Sequence, residues 1–264
     1  MAYENLLYEV DDGIATITVN RPQVFNALNR ATAGELGAAF TEARDDPAVR
    51  VVILTGAGEK AFIAGADVKE IHEIVQSGAL EGREALPLAG RPLLELVLGL
   101  GKPVIAAVNG YCLGGGCELL YACTLAYAAE GAQFGQPEVN LGFHPCWGGT
   151  QHLARLIGTR KTLEITLLGE MFDAAEAARL GIVNQVVPDD ELMPTVRAVA
   201  EALAAKPPLA VKTIMECVSE AADLTLEQGL DLEANLFGLL CGTEDIIEGT
   251  KAFLEKRKAE FRGR

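Results

Sequence analysis

Serine is almost missing from this chain: of 264 residues only Ser77 and Ser219 are serine. Neither lies in a G-x-S-x-G elbow, which removes the usual serine hydrolase. The six cysteines, at 112, 117, 123, 146, 217 and 241, form no C-x-x-C pair and no zinc-ligand spacing with the three histidines. The pattern therefore predicts no structural metal, and the thiols read as reduced and mostly packed. G-x-G-x-x-G and G-x-x-x-x-G-K-[ST] are both absent, so a Rossmann or P-loop nucleotide site has no support. No stretch approaches the roughly 18 apolar residues of a membrane span. The N-terminal MAYENLLYEVDDG has neither the basic nor the apolar region of a secretory signal, and the expectation is a cytoplasmic protein. Positive charge is also short: 22 Lys and Arg against 37 Asp and Glu give a net charge of -15. That balance disfavours nucleic acid and anionic membrane as partners, and any anionic ligand would need cations placed locally.

What is present is apolar: half the residues are hydrophobic, enough for one large domain or a main domain with a smaller part appended. Tyr8–Val10 and Ile14–Val19, around Asp11-Asp12-Gly13, read as a hairpin. A helix over 29–44 and a β-branched strand over 49–55 follow, then a glycine-containing loop, Lys60–Lys69, entering a helical segment. A loop or irregular helix is expected over 77–91 and an apolar helix over 92–100. Val104–Val108 is a buried strand, and Leu125–Ala128 and Gln133-Phe134 are short strand candidates. Helices at 153–157 and 161–168 complete an α/β pattern with parallel pairing. After Pro188 the chain reads as successive helices, 191–205, 208–221, 225–240 and 243–258. Residues 1–195 are thus expected to form the core and 196–264 a helical C-terminal region. Leu226, Leu230, Ala234, Phe237 and Leu240 make a stripe suited either to the chain's own core or to a subunit contact.

The organising stretch is Lys102–Glu118, KPVIAAVNGYCLGGGCE. A buried strand runs through Gly114-Gly115-Gly116 into a helix, leaving backbone N–H groups without side chains in the way. Such a loop serves either close packing or the binding of a negative oxygen. Gly65-Ala66-Asp67 offers a second loop of the same kind, and convergence of the two would make an oxyanion hole. Glu118 sits in the first turn of the helix, and Glu138 follows in GQPEVNLG. Either glutamate taken singly could be a solvated charge; beside the glycine loops the two suit acid–base work.

KAFIAGADVKEI, KPVIAAVNGYCLGGGCEL, AQFGQPEVNLG and GGTQHLARLIG together resemble the crotonase superfamily, most closely its enoyl-CoA hydratases, over nearly the whole chain. The resemblance implies a ββα spiral core with a helical C-terminal trimerisation region, assembled as a homotrimer or a dimer of trimers. It implies an acyl-CoA substrate, with coenzyme A as part of the thioester and no prosthetic group. Ala66 and Gly115 would be the backbone donors to the thioester oxygen, Glu118 would activate water, and Glu138 would protonate the α-carbon. Gln23, Val24, Phe25, Ala64, Asp67 and Lys69, with Phe237 and Lys256 from a neighbouring subunit, would hold the coenzyme A. Gln23 stands where many relatives carry lysine. The implied reaction is hydration of a trans-2-enoyl-CoA; double-bond isomerisation, thioester hydrolysis or dehalogenation are the alternatives within the superfamily, and RNA binding the one outside enzymology.

GFHPCWGG at 142–149 departs from that pattern. Cys146 replaces a usual glycine, tolerable only if φ there is ordinary. With His144 nearby it also raises a thiol nucleophile, although His144 reads better as a satisfied, partly buried imidazole. Trp147, the only tryptophan, is either core packing or a wall reshaping the substrate pocket, which would favour a short or unusual acyl chain. Thr124, where relatives often have aspartate, suggests a lost structural hydrogen bond.

Overall fold

A computed structural model describes residues 3–77 and 87–264. The chain opens with β1 (Leu6–Asp11) and β2 (Ile14–Val19), paired antiparallel as the hairpin pattern predicts. Helix α1 (Arg30–Asp45) is capped by Asn29, whose side chain accepts from Thr32 N. Then comes a unit repeated three times: strand, short strand, helix. The first is β3 (Val51–Gly56), β4 (Ala61–Ile63) and α2 (Val68–Gln76). Helix α3 (Pro87–Leu98) leads into the second, β5 (Val104–Val108), β6 (Tyr111–Leu113) and α4 (Gly115–Ala122). The third is β7 (Leu125–Ala129), β8 (Gln133–Gly135) and α5 (Gly149–Ile157), with a 3-10 turn over Pro137–Leu141. Helix α6 (Thr159–Leu168), β9 (Met171–Asp173), α7 (Ala174–Arg179) and β10 (Gln185–Val187) precede α8 (Leu192–Ala204), α9 (Pro208–Glu220), α10 (Leu226–Leu240) and α11 (Glu244–Glu255).

The first strands of the three units lie side by side and parallel in a six-stranded sheet, β1-β2-β3-β5-β7-β10. The second strands form their own sheet, β4-β6-β8-β9. Each unit thus climbs one step through both sheets, the ββα spiral that the resemblance implies.

Strands β3 and β5 are buried along their whole length because the larger sheet is covered on both faces. Val52, Leu54, Val104 and Ala106 join the main core with α1, α3 and α4. Their neighbours Val51, Ile53, Ile105 and Ala107 face the other way, onto Leu192, Val196 and Ala200 of α8. A boundary at residue 195 therefore falls inside an element packed on the sheet. By contrast α9 and α10 bury no residue.

The departures from expectation have local causes. Lys60–Lys69 is not all loop, since Ala61–Ile63 forms β4. Three-residue strands such as β6, β9 and β10 are too short to show a period, so β6 was hidden in the glycine stretch and β9, α7 and β10 were unforeseen. Of the irregular segment expected over 77–91, residues 78–86 lie outside the described residues, and from Pro87 the chain is helical, with Pro92 inside the helix. Thr124 does not lose its hydrogen bond: its Oγ1 accepts from Val104 N at 3.1 Å.

Candidate active site

The three glycines of the central loop perform different tasks. Gly114 adopts φ +50°, a left-handed backbone that glycine enters without cost. Gly116 is a packing residue, since a Cβ there would stand 2.0 Å from the Ile63 carbonyl oxygen. Gly115 begins α4 with no capping side chain, so its N–H has no partner within the helix. The packing reading of the glycine run is thus met at Gly116, and one residue earlier Gly115 leaves an N–H without a partner in its helix.

The second loop arrives at the same place. Leu28 N donates to the Gly65 carbonyl and Asp67 N to the Leu28 carbonyl. This bridge skips Ala66, whose own N–H points away from it by strand alternation. A Cβ on Gly115 would lie 3.9 Å from Ala66 N, and one on Gly114 would lie 3.8 Å from the Gly65 Cα. Two turns distant in sequence thus bring two amides to one wall of a cavity.

That cavity is about 370 Å³ and is lined by Ala64, Ala66, Gly115, Glu118, Glu138, Cys146 and Trp147 among others. Both carboxylates are buried, Glu118 at 2% and Glu138 at 6% exposure. Glu118 Oε1 accepts from Trp147 N at 2.7 Å and Gly149 N at 2.8 Å. Burial raises the Glu118 pKa, and these two amides oppose the rise. Because both amides land on Oε1, Oε2 is left for chemistry in the cavity.

Glu138 has a different environment. Burial, with the charge of Glu118 adding to it, pushes its pKa up to about 7. The fully buried Gln136 faces it. With its nitrogen turned to the carboxylate, Gln136 donates to Oε1 at 2.9 Å and Oε2 at 3.1 Å. With its oxygen turned there instead, the contact requires a proton on Glu138. The pair is thus divided into a carboxylate held by fixed donors and an acid poised near neutrality.

The 142–149 segment bears on both. Cys146 is absent from the residues with positive φ, so its side chain carries no backbone penalty. Its thiol is pushed up to about 12, by burial first and then by the two glutamates. A thiol held that high, and half-buried, is a poor nucleophile. His144 is exposed rather than partly buried, with Nδ1 2.8 Å from the Pro145 carbonyl oxygen. Trp147 is both things expected of it, packing against the core and lining the cavity.

Other predicted positions lie outside the cavity lining. Gln23, Val24 and Phe25 form an exposed turn, joined to the site through Ala64 N, which donates to the Phe25 carbonyl at 3.1 Å. Asp67 precedes α2 and pairs with Arg21 at 3.2 Å. Lys69 is exposed on α2, while Phe237 on α10 and Lys256 at the end of α11 are exposed in this single chain.

Sequence reasoning missed Val68, Ile71 and Val75, the i, i+3, i+7 stripe by which α2 lines the cavity opposite Leu141 and Phe143. The stripe was legible as an amphipathic face. Gln136 and the amides of Trp147 and Gly149 carry no such signal.

Residues 9–264 match the family model described as enoyl-CoA hydratase/isomerase. The chain is 44% identical to the crotonyl-CoA hydratase of Syntrophomonas wolfei, over 99% of both chains. It is 41% identical to the short-chain-enoyl-CoA hydratase of Clostridium acetobutylicum, over 98% of both. A crystal structure of enoyl-CoA hydratase from Bacillus anthracis superposes with a TM-score of 0.92 at 38% identity, covering 99% of this chain and all of that one.

Proposed function

The chain belongs to the enoyl-CoA hydratase/isomerase family, and from that premise we propose that it catalyses the reversible addition of water to a short-chain trans-2-enoyl-CoA. The observation that carries the reading is the presence of two buried carboxylates, Glu118 and Glu138, on the cavity that also receives Ala66 and Gly115. Family membership alone leaves isomerisation open. Isomerisation can proceed with one acid at the Glu138 position, whereas hydration uses both.

The thioester carbonyl accepts from the Ala66 and Gly115 amides. Negative charge grows on that oxygen as the β-carbon is attacked, so fixed donors stabilise the enolate more than the ground state. Glu118, as carboxylate, takes a proton from the water whose oxygen bonds to the β-carbon. Glu138, as acid, delivers its proton to the α-carbon. The C=C π bond and one O–H bond break, and C–O and C–H bonds form. Dehydration retraces the steps.

Coenzyme A carries phosphates that this acidic chain must meet locally. Lys69 beside the site, and Lys256 with Phe237 from a neighbouring copy, are the residues proposed for it, with Gln23, Val24, Phe25, Ala64 and Asp67 shaping the entrance. The assembly proposed is a trimer or pair of trimers built through the helices after the core, and the compartment proposed is the cytoplasm. Loss of absorbance of crotonyl-CoA on hydration tests the reading. Wild type should be active and Glu118→Gln and Glu138→Gln should each lose about 10²-fold or more; an active wild type indifferent to both substitutions would overturn it.

A further inference from the structure

Glycine is less favourable than alanine within a helix, and Gly90 inside α3 has a packing reason. The reason is Trp147. A Cβ at position 90 would stand 2.0 Å from Cδ2 and Cε2 of the indole and 2.4 Å from Nε1. A second boundary of the ring is also glycine, since a Cβ on Gly115 would lie 3.6 Å from Cε3 and Cζ3. The indole therefore lies against the bare backbone of α3 at its ring-fusion bond and of α4 at the neighbouring Cε3–Cζ3 edge. Its own main-chain N–H holds Glu118 Oε1 at 2.7 Å. Trp147 closes the segment that leaves the left-handed Gly142 (φ +85°) and enters the left-handed Gly148 (φ +102°). The ring packs against the core, and Pro145 of the same segment is buried as well.

We propose that Gly90 is a positioning residue for the catalytic base: its missing side chain seats the Trp147 indole, and the seated indole fixes both the cavity wall beside Gly115 and the amide that orients Glu118. Helix α3 is thereby joined to the reacting centre without touching substrate. An added methyl must displace the ring, which moves the cavity wall beside Gly115 or draws the Trp147 amide off Glu118. Either displacement disturbs catalysis, although alanine suits the helix itself better.

The activity readouts rest on the hydratase reading; the optical readout does not. Trp147 is the only tryptophan, so emission excited selectively at indole reports the ring's seat in the free protein. Gly90→Ala should shift that emission. It should also lower kcat for crotonyl-CoA by about tenfold or more, since a displacement near 1 Å at a reacting group costs up to about 10²-fold. The acid limb of its pH profile should move to higher pH, because Glu118 loses an amide donor that favours its charged form. In a Trp147→Ala background, the same Gly90→Ala change should cost less than about twofold, because the atoms it collides with are gone.

Unchanged emission with kcat within twofold of wild type would overturn the proposal. So would an equal loss from Gly90→Ala in both backgrounds. If Gly90→Ala alone does not fold, the double variant must: failure of both, with Trp147→Ala folded, would place the damage in α3 and overturn the proposal. An inactive wild type whose emission still shifts on Gly90→Ala would count against the hydratase reading and leave the seating of the ring supported.

Discussion

The carboxylate of Glu138 lies against the bare α-carbon of Gly114, where a Cβ would stand 2.9 Å from Oε1. The same glycine has φ +50°, so a side chain there meets two obstacles, one conformational and one steric. A left-handed backbone costs a non-glycine residue about 1–2 kcal/mol. Gly114→Ala should therefore be destabilised by at least that amount and lose about 10²-fold or more in kcat, with Glu138 displaced. Denaturant midpoints together with kcat on crotonyl-CoA check both parts; a variant with near-normal kcat would show that Glu138 does not need its present position.

On the mechanism proposed above, the dyad carries one proton. In hydration Glu138 begins with it, and in dehydration Glu118 does, but the total is the same. The equilibrium between enoyl and hydroxyacyl thioesters consumes no proton, so kcat/KM in the two directions must share one pH dependence. With Glu138 near 7, activity should fall about tenfold per unit as pH rises well above that value. Measuring both directions across the range checks this. A hydration rate that stays flat from about pH 7 to pH 9 would contradict a required proton on Glu138.

The two buried glutamates proposed for catalysis were legible because they stand in fixed relation to glycine-rich turns. Glu118 lies in the first turn of a helix that begins with Gly115, and Glu138 follows a strand through Pro137. The buried runs of β3 and β5 announced parallel strands covered on both faces. Three-residue strands such as β6 and β9 were not legible, because hydrogen bonding to neighbours far away in sequence, rather than a local period, makes them. The clamp on Glu118 was hidden for a related reason: its donors are backbone amides of Trp147 and Gly149, and an amide is the same in every residue. Gly90 falls in the stretch expected to be a loop or irregular helix, and its place inside α3 depends on a ring distant in sequence, that of Trp147.

A raised carboxyl pKa is also a statement about stability. The folded-state value of Glu138 is about 7 against an ordinary 4.5, so the folded protein holds this proton more tightly than the unfolded chain. That advantage is present in full below about pH 4.5 and is lost as pH rises through about 7. Above neutrality the fold carries a buried charge at a cost of order 3 kcal/mol. Glu138→Gln keeps the shape and removes the charge. It should melt higher than wild type near pH 8, with the difference shrinking towards about pH 5, and thermal denaturation at both conditions checks this. Equal melting differences at both pH values would mean that Glu138 does not titrate in this range.

Helices α9 to α11 leave unusual apolar surface in water: Leu226 is 80% exposed, Phe237 60%, Phe253 83% and Leu254 80%. The stripe from Leu226 to Leu240 is not spent on the chain's own core, since α10 buries no residue. Large contiguous apolar patches are seldom left open on a lone soluble chain. A second or third copy is the natural cover, and the same region holds Phe237 and Lys256, proposed to reach a neighbour's coenzyme A. Light scattering should give three or six times the 28.0 kDa of one chain. Leu230→Asp on α10 should shift the mass downwards by placing a charge at the contact. Because the proposed coenzyme A contacts come from the neighbour, KM for crotonyl-CoA should rise more than kcat falls. A Leu230→Asp protein that becomes monomeric with unchanged KM would separate assembly from substrate binding and count against a shared site.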